Sequence, residues 1–127
     1  PYRIIFDALL NARYRLLLSN EILAEYEEII ALKTTSSIAQ NVVNMLLSLS
    51  HVERIEVFFK WNLIEADADD NKFSDCAIAG NADFLVTQDR HFNILKETNF
   101  PKVTLLKPRE FIDLLHHPVK NRRNHSE

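Results

Sequence analysis

The sequence predicts one α/β domain in which helices flank a mainly parallel sheet in three layers. Short apolar runs alternate with segments that carry apolar residues at helical spacing, an order typical of this fold class. The apolar runs lie between helical segments, which fits strands buried on both faces. A chain of 127 residues with 46% hydrophobic residues is long enough for one domain and one normal core.

Charge and cysteine content limit the classes of function. The net charge is −3, so the surface as a whole does not attract nucleic acid, and a polyanionic substrate requires local basic residues or a bound cation. The single cysteine, Cys76, excludes an internal disulfide; we expect a small core residue in a reducing compartment, the cytoplasm. No apolar run approaches the roughly 20 residues of a membrane span, so we expect no membrane segment.

The first elements follow from apolar spacing. Residues 1–13 carry a helical apolar stripe, and residues 14–18, YRLLL, form a short apolar run that predicts a strand. Ser19 and Asn20 are both good N-cap residues for a helix over residues 21–32.

Two further elements complete the first half of the chain. Ser36 or Ser37 is expected to cap a helix over residues 38–49. Ile55, Val57 and Phe59 then alternate with other residues, which predicts a second strand.

The acid-rich segment of residues 66–89 organises the predicted site. Three carboxylates, on Asp67, Asp69 and Asp70, precede a helix that bears Asp75, and Asp89 follows the apolar strand Phe-Leu-Val-Thr of residues 84–87. Ligands of α/β sheets bind at the carboxyl ends of strands, and clustered carboxylates suit Mg²⁺ or Mn²⁺.

Ordinary structural roles remain open for several of these acids. Asp69 or Asp70 is expected to N-cap the helix that follows, and Asp89 can cap the next helix with one oxygen while the other faces a cation. Glu25 lies on the otherwise apolar face of its helix. A carboxylate there has to be paired, protonated or metal-bound.

The last elements are a helix over residues 90–97, a strand over 102–106 and a helix over 109–115 that Pro108 opens. Residues 116–127 are polar and have no apolar periodicity. We therefore expect a domain over residues 1–115 and a disordered tail after it.

Three segments resemble PIN-domain proteins, most closely the PIN-family, VapC-like toxin components of toxin–antitoxin systems: SNEILAEYEEI, DADDNKFSDCAIAGNADFLVTQD and VTLLKPREFIDLL. The resemblance implies a metal-dependent ribonuclease that leaves a 5′-phosphate and a 3′-hydroxyl. It also implies an antitoxin partner and a homo-oligomer. By position, Glu25, Asp75 and Asp89 match the catalytic metal ligands of the family, and Asp70 matches an additional acid of this branch.

Basic residues beside the acids are candidates for contacts to RNA. Arg90, His91 and Lys72 flank the acids in sequence and could bind backbone phosphates. The cation of the resembled nucleases would neutralise the phosphate and lower the pKa of bound water.

One departure from the family concerns its first strand. The family begins with a strand ending in an Asp-Thr-Asn type motif, and Pro1 aligns with the helix that follows it. We therefore expect an incomplete sheet whose first strand is missing, open to dimerisation or strand exchange. The alternative function is a degenerate, catalytically inactive PIN-like module that acts by protein–protein interaction.

Overall fold

A computed structural model describes residues 2–117 of the chain. The helices and strands alternate as predicted, and the elements are α1 (Tyr2–Leu10), β1 (Leu16–Leu18), α2 (Asn20–Lys33), α3 (Ser36–Ser48), β2 (Val52–Arg54), α4 (Asn71–Ala79), β3 (Leu85–Val86), β4 (Leu105–Leu106) and α5 (Pro108–His116). Two 3-10 helices, Ala68–Asp70 and Arg90–Glu97, precede α4 and follow β3. Of the predicted tail, His116 closes α5, and residues 118–127 lie outside the described residues.

The strands form two parallel pairs, which confirms the predicted α/β class. β1 pairs with β2, with Leu16 opposite Val52, and β3 pairs with β4, with Leu85 opposite Leu105. The two pairs do not join into one sheet among the described residues. A cavity of about 1020 Å³ lies between them and is bordered by both β1 and β3.

One predicted strand is displaced along the chain. The strand that pairs with β1 is Val52–Arg54, and no strand covers Ile55 to Phe59. Ile55 and Val57 pack against the core beside β1, whereas Phe58 and Phe59 are 89% and 62% exposed, so the buried face of the alternating pattern ends before Phe59. Ile55 still donates its N–H to Leu18 O, and the chain leaves the pair immediately afterwards.

The N-caps follow the predicted residue types with one shift. Ser19 Oγ accepts from Ile22 N at 3.3 Å and caps α2 as predicted. For α3 the cap is Thr35, whose hydroxyl accepts from Ile38 N at 3.1 Å, rather than Ser36 or Ser37. The helix begins at Ser36, so the residue before it takes the cap position.

Helix α4 lies between the two strand pairs and joins their cores. Cys76 packs with Leu18 of β1 and Ile22 of α2, whereas Ala77 packs with Ile64 and with a cluster under β3 and β4. Cys76 is a buried core residue as predicted, and burial raises the pKa of its thiol to about 11. The start of α4, with its acids, is thereby held beside the ends of the strands.

Within residues 2–117, no helix has both the length and the apolar character that crossing a membrane requires.

Candidate metal centre

The acid-bearing loop before α4 is held by one buried side chain. Asn71 is 7% exposed, and its Oδ1 accepts from Ile64 N at 2.9 Å. Its Nδ2 donates to Ile64 O at 3.0 Å and to Ala68 O at 3.2 Å. Three hydrogen bonds from one amide therefore tie the two ends of the loop together and position the carboxylates between them.

The carboxylate that makes a capping hydrogen bond in this loop is that of Asp67, not that of Asp69 or Asp70. Asp67 caps the 3-10 turn, since its Oδ1 accepts from Asp69 N at 3.1 Å. Asp70 stands at the N-cap position of α4, as predicted, but its side chain makes no capping hydrogen bond. The carboxylate of Asp70 is therefore available for another partner.

Asp70 carries a buried oxygen without a hydrogen-bond partner among the described residues. This atom, Oδ2, lies 3.5 Å from Nδ1 of His91. Burial raises the pKa of Asp70, and the negative charges of Asp67 and Asp89 raise it further, whereas His91 opposes the shift. A buried carboxylate oxygen that has no hydrogen bond and lies among other carboxylates is costly unless a proton or a cation compensates its charge.

Asp89 reaches the same place from the end of β3. Its Oδ1 accepts from His91 N at 2.9 Å, which caps the 3-10 helix as predicted, and lies 3.4 Å from His91 Nδ1. The structure thus brings together Asp70 and Asp89, two of the predicted ligands, around one imidazole.

The geometry of this group fits a divalent cation. Ligand atoms of Asp67, Asp70 and His91 lie within 4.8 Å of one another, and Asp89 adds a third carboxylate beside them. Carboxylate oxygens suit Mg²⁺ and Mn²⁺, and a cation would give Asp70 Oδ2 the partner that it lacks. We call Asp67, Asp70, Asp89 and His91 the acid cluster.

Glu25 has a different partner. Lys72 donates its ammonium to Glu25 Oε1 and lies 3.0 Å from Asp69 Oδ1, so one cation holds two carboxylates. The Lys72 side chain is only 10% exposed. Glu25 is therefore paired, one of the states expected for an acid on an apolar face, and Lys72 is its partner; the RNA contact predicted for Lys72 stays a prediction.

We expect Lys72→Met to lower the free energy of unfolding by about 1 kcal/mol, because Glu25 keeps a half-buried charge without its partner. Chemical denaturation at neutral pH measures this loss. The matched control is Arg15→Met, whose ion pair with Glu53 is exposed and should contribute little. Equal losses from the two substitutions would contradict a special role for Lys72.

Asp75 is also engaged elsewhere. It is 5% exposed, and its Oδ1 accepts from Trp61 N at 3.1 Å. Burial raises its pKa, and the bond from Trp61 opposes that rise. Asp75 is not a member of the acid cluster; in this structure it anchors the irregular segment that contains Trp61.

Two members of the acid cluster were not predicted as ligands. The sequence analysis treats Asp67 only as one of three neighbouring acids and His91 as a contact to RNA. The signal in the sequence was the spacing of Asp67 and Asp70, three residues apart on one turn. Arg90, the remaining predicted contact to RNA, is exposed and lines a small cavity beside Asp89.

One of three comparisons with known proteins gives a match, and it identifies the family. A family model described as PIN domain matches residues 1–91, which is more than half of the chain and includes Asp67, Asp70, Asp89 and His91. No curated protein and no solved structure matches the chain significantly.

Proposed function

The chain belongs to the PIN-domain family, and from this premise we propose that it is a metal-dependent ribonuclease acting as the toxin of a toxin–antitoxin pair. A PIN domain implies a nuclease-type fold. The observation that carries the proposal is the buried Oδ2 of Asp70, which has no hydrogen-bond partner among the described residues and faces the other acid-cluster residues.

The acid cluster would hold Mg²⁺ or Mn²⁺ through Asp67, Asp70 and Asp89, with His91 beside them. A cation bound there supplies Lewis-acid chemistry, since it neutralises the phosphate charge and polarises its bonds to oxygen. The carboxylates alone repel an RNA strand, so binding as well as cleavage should depend on the cation.

The ligand roles predicted for Glu25 and Asp75 stay predictions. Glu25 would have to release Lys72, and Asp75 would have to release the backbone N–H of Trp61, before either faced a cation. We therefore place the first cation at the acid cluster.

The test of the proposed function is cleavage of a labelled single-stranded RNA with Mg²⁺ or Mn²⁺, beside an EDTA control. We expect cleavage with the metal only. Asp89→Asn changes a proposed ligand and should reduce the rate by more than about 100-fold, since a direct ligand should matter more than the outer partners of a metal site. Because asparagine is also a good N-cap residue, this variant removes the charge and leaves the cap of the 3-10 helix. Cleavage that persists in EDTA, or in Asp89→Asn at the full rate, would reject the proposed site.

A second candidate function, a module that binds another protein, is favoured by the cavity between the two strand pairs. Leu16 N donates to His51 O, and Leu18 O accepts from Ile55 N. In a parallel pair, alternate residues of a strand bond to the same neighbour. The N–H and C=O of Leu17, between these two residues, therefore point away from β2. On β3 the bonds of Leu85 and Thr87 to β4 turn Val86 away in the same manner. Leu17 and Val86 both line the cavity.

The occupant that fits two unpaired strand edges is an extended, apolar peptide strand of a partner protein, such as an antitoxin. Side chains that line the cavity are largely apolar, among them Ile22, Phe73 and Phe111. One inserted strand would pair with β1 and β3 at once and join two marginal two-stranded sheets into one sheet.

Hydrogen exchange tests this second function. A short Val- and Ile-rich peptide should protect the amides of Leu17 and Val86. The same peptide with a central proline should not, because it lacks a backbone donor. Equal protection by both peptides, or by neither, would reject strand insertion. If these amides are protected without any peptide, and only at protein concentrations at which the chain dimerises, the occupant is a second copy of the chain.

We propose the cytoplasm as the location. The only cysteine is buried and free, which suits a reducing compartment.

A further inference from the structure

A second, smaller cavity of about 260 Å³ opens at the carboxyl ends of β3 and β4. Three exposed residues with cationic side chains are among those that line its rim: Arg90, Lys96 and Lys107. We call this cavity the basic pocket. Its position and charge distinguish it from the larger, apolar cavity between the strand pairs.

The three cations are available for a ligand. All three are exposed, and none of them forms an ion pair with another residue in the range 2–117. Two acids also line the pocket: Asp89, which belongs to the acid cluster, and Glu110, whose Oε1 accepts from Lys107 N at 2.7 Å. The N-terminus of α5, which begins at Pro108, adds the positive end of a helix dipole to the same rim.

Asp89 connects the basic pocket to the acid cluster. It lines the basic pocket, and its Oδ1 lies 3.4 Å from His91 Nδ1 in the acid cluster. A negatively charged polymer bound at the acid cluster therefore lies beside the basic pocket. The acid cluster needs a bound cation to accept such a polymer, whereas the basic pocket supplies cationic side chains. This order of charges suits a nucleic acid strand, with one phosphodiester at the acid cluster and the next one in the basic pocket.

We propose that the basic pocket binds a phosphodiester group of single-stranded RNA adjacent to the group at the acid cluster. Lys96 and Lys107 are its principal contacts, with Arg90 beside them. The inference rests on the proposed function, because it takes RNA as the ligand of the acid cluster. It assigns a binding role to Lys96 and Lys107, which lie after the predicted site in sequence.

RNA binding without cleavage tests the basic pocket separately from the nuclease chemistry. The measurement is fluorescence anisotropy of a labelled single-stranded RNA over a range of salt concentrations, with Mn²⁺ present. The proteins are the full chain, unaltered or carrying Lys96→Gln or Lys107→Gln, and the RNA carries phosphorothioate linkages that resist cleavage, so the acid cluster keeps all of its ligands. Each lysine substitution should weaken binding several-fold and reduce the slope of log affinity against log salt by about 0.7.

The matched control is Lys102→Gln, the same change of charge at an exposed site before β4, at the opposite end of that strand. An effect of Lys102→Gln as large as those of Lys96→Gln and Lys107→Gln, or no measurable RNA binding, would overturn the proposal. A single-stranded DNA of the same sequence, bound equally well, would show that the pocket reads the phosphodiester shared by both polymers.

The outcomes separate this proposal from the proposed function. Weakened RNA binding in the lysine variants, together with no metal-dependent cleavage by the unaltered chain, would keep the basic pocket and reject the nuclease. Metal-dependent cleavage with unchanged binding in both lysine variants would keep the nuclease and reject the basic pocket.

Discussion

Asp70→Asn is expected to reduce metal-dependent RNA cleavage by more than about 100-fold, because a direct ligand should matter more than the outer partners of a metal site. The same variant should be more stable than the unaltered chain in EDTA at neutral pH. Burial and the charges of Asp67 and Asp89 raise the pKa of Asp70, so the folded state binds more protons than the unfolded state. Stability without metal therefore falls as pH rises from the ordinary aspartate pKa of 3.8 through the raised value.

Thermal unfolding with and without Mn²⁺ measures both effects. A cation at one hundred times its dissociation constant should stabilise the unaltered chain by about 2.7 kcal/mol, and Asp70→Asn should lose most of that gain. Asp113→Asn is the control, since Asp113 lies in α5 and is not part of the acid cluster. The assignment of Asp70 as the central ligand fails if Asp70→Asn is stabilised by Mn²⁺ as strongly as the control.

Asn71→Asp should cause the largest loss of stability, about 2 to 4 kcal/mol, because the carbonyls of Ile64 and Ala68 lose their donor and a buried position gains a charge. The substitution keeps the shape and the acceptor that Ile64 N uses. It removes the amide protons bound to Ile64 O and Ala68 O, and it adds a carboxylate at a position only 7% exposed. Denaturation by urea measures the loss. Mn²⁺ affinity should fall as well, because the loop that carries Asp67 and Asp70 loses its support.

Asn93→Asp makes the same chemical change at an exposed position of the 3-10 helix and should leave stability within about 0.5 kcal/mol of the original. A similar, small effect of both substitutions would show that the Asn71 amide does not hold the loop.

Much of the fold is predictable from local sequence, and the predictions that were wrong depend on contacts between distant residues. The helices α2, α3 and α5 and the three apolar runs around β1, β3 and β4 follow from spacing and capping residues that act within one or two turns. The strand predicted near Val57 was wrong in position. Val57 does pack against the core, but a strand also needs hydrogen bonds to a neighbouring strand, and the bonds to β1 end at Ile55.

The candidate site was likewise predicted in part, from residues that are close together in the sequence. Residue type and spacing predicted a cation site in the segment that contains Asp70 and Asp89, because carboxylates cluster there on both sides of an apolar strand. Local spacing did not show that Glu25 would meet Lys72, a residue 47 positions away, or that Asp75 would meet the backbone of Trp61. Those pairings depend on how helices pack against each other.

The sequence by itself determined the α/β class, the family resemblance and the acid-rich segment, because periodicity, caps and short motifs are properties of neighbouring residues. Only the tertiary structure decided which acids share a site, which lysines are occupied and where the basic pocket opens. Such contacts join residues that are distant along the chain, and their partners are chosen by packing and charge in three dimensions rather than by local sequence.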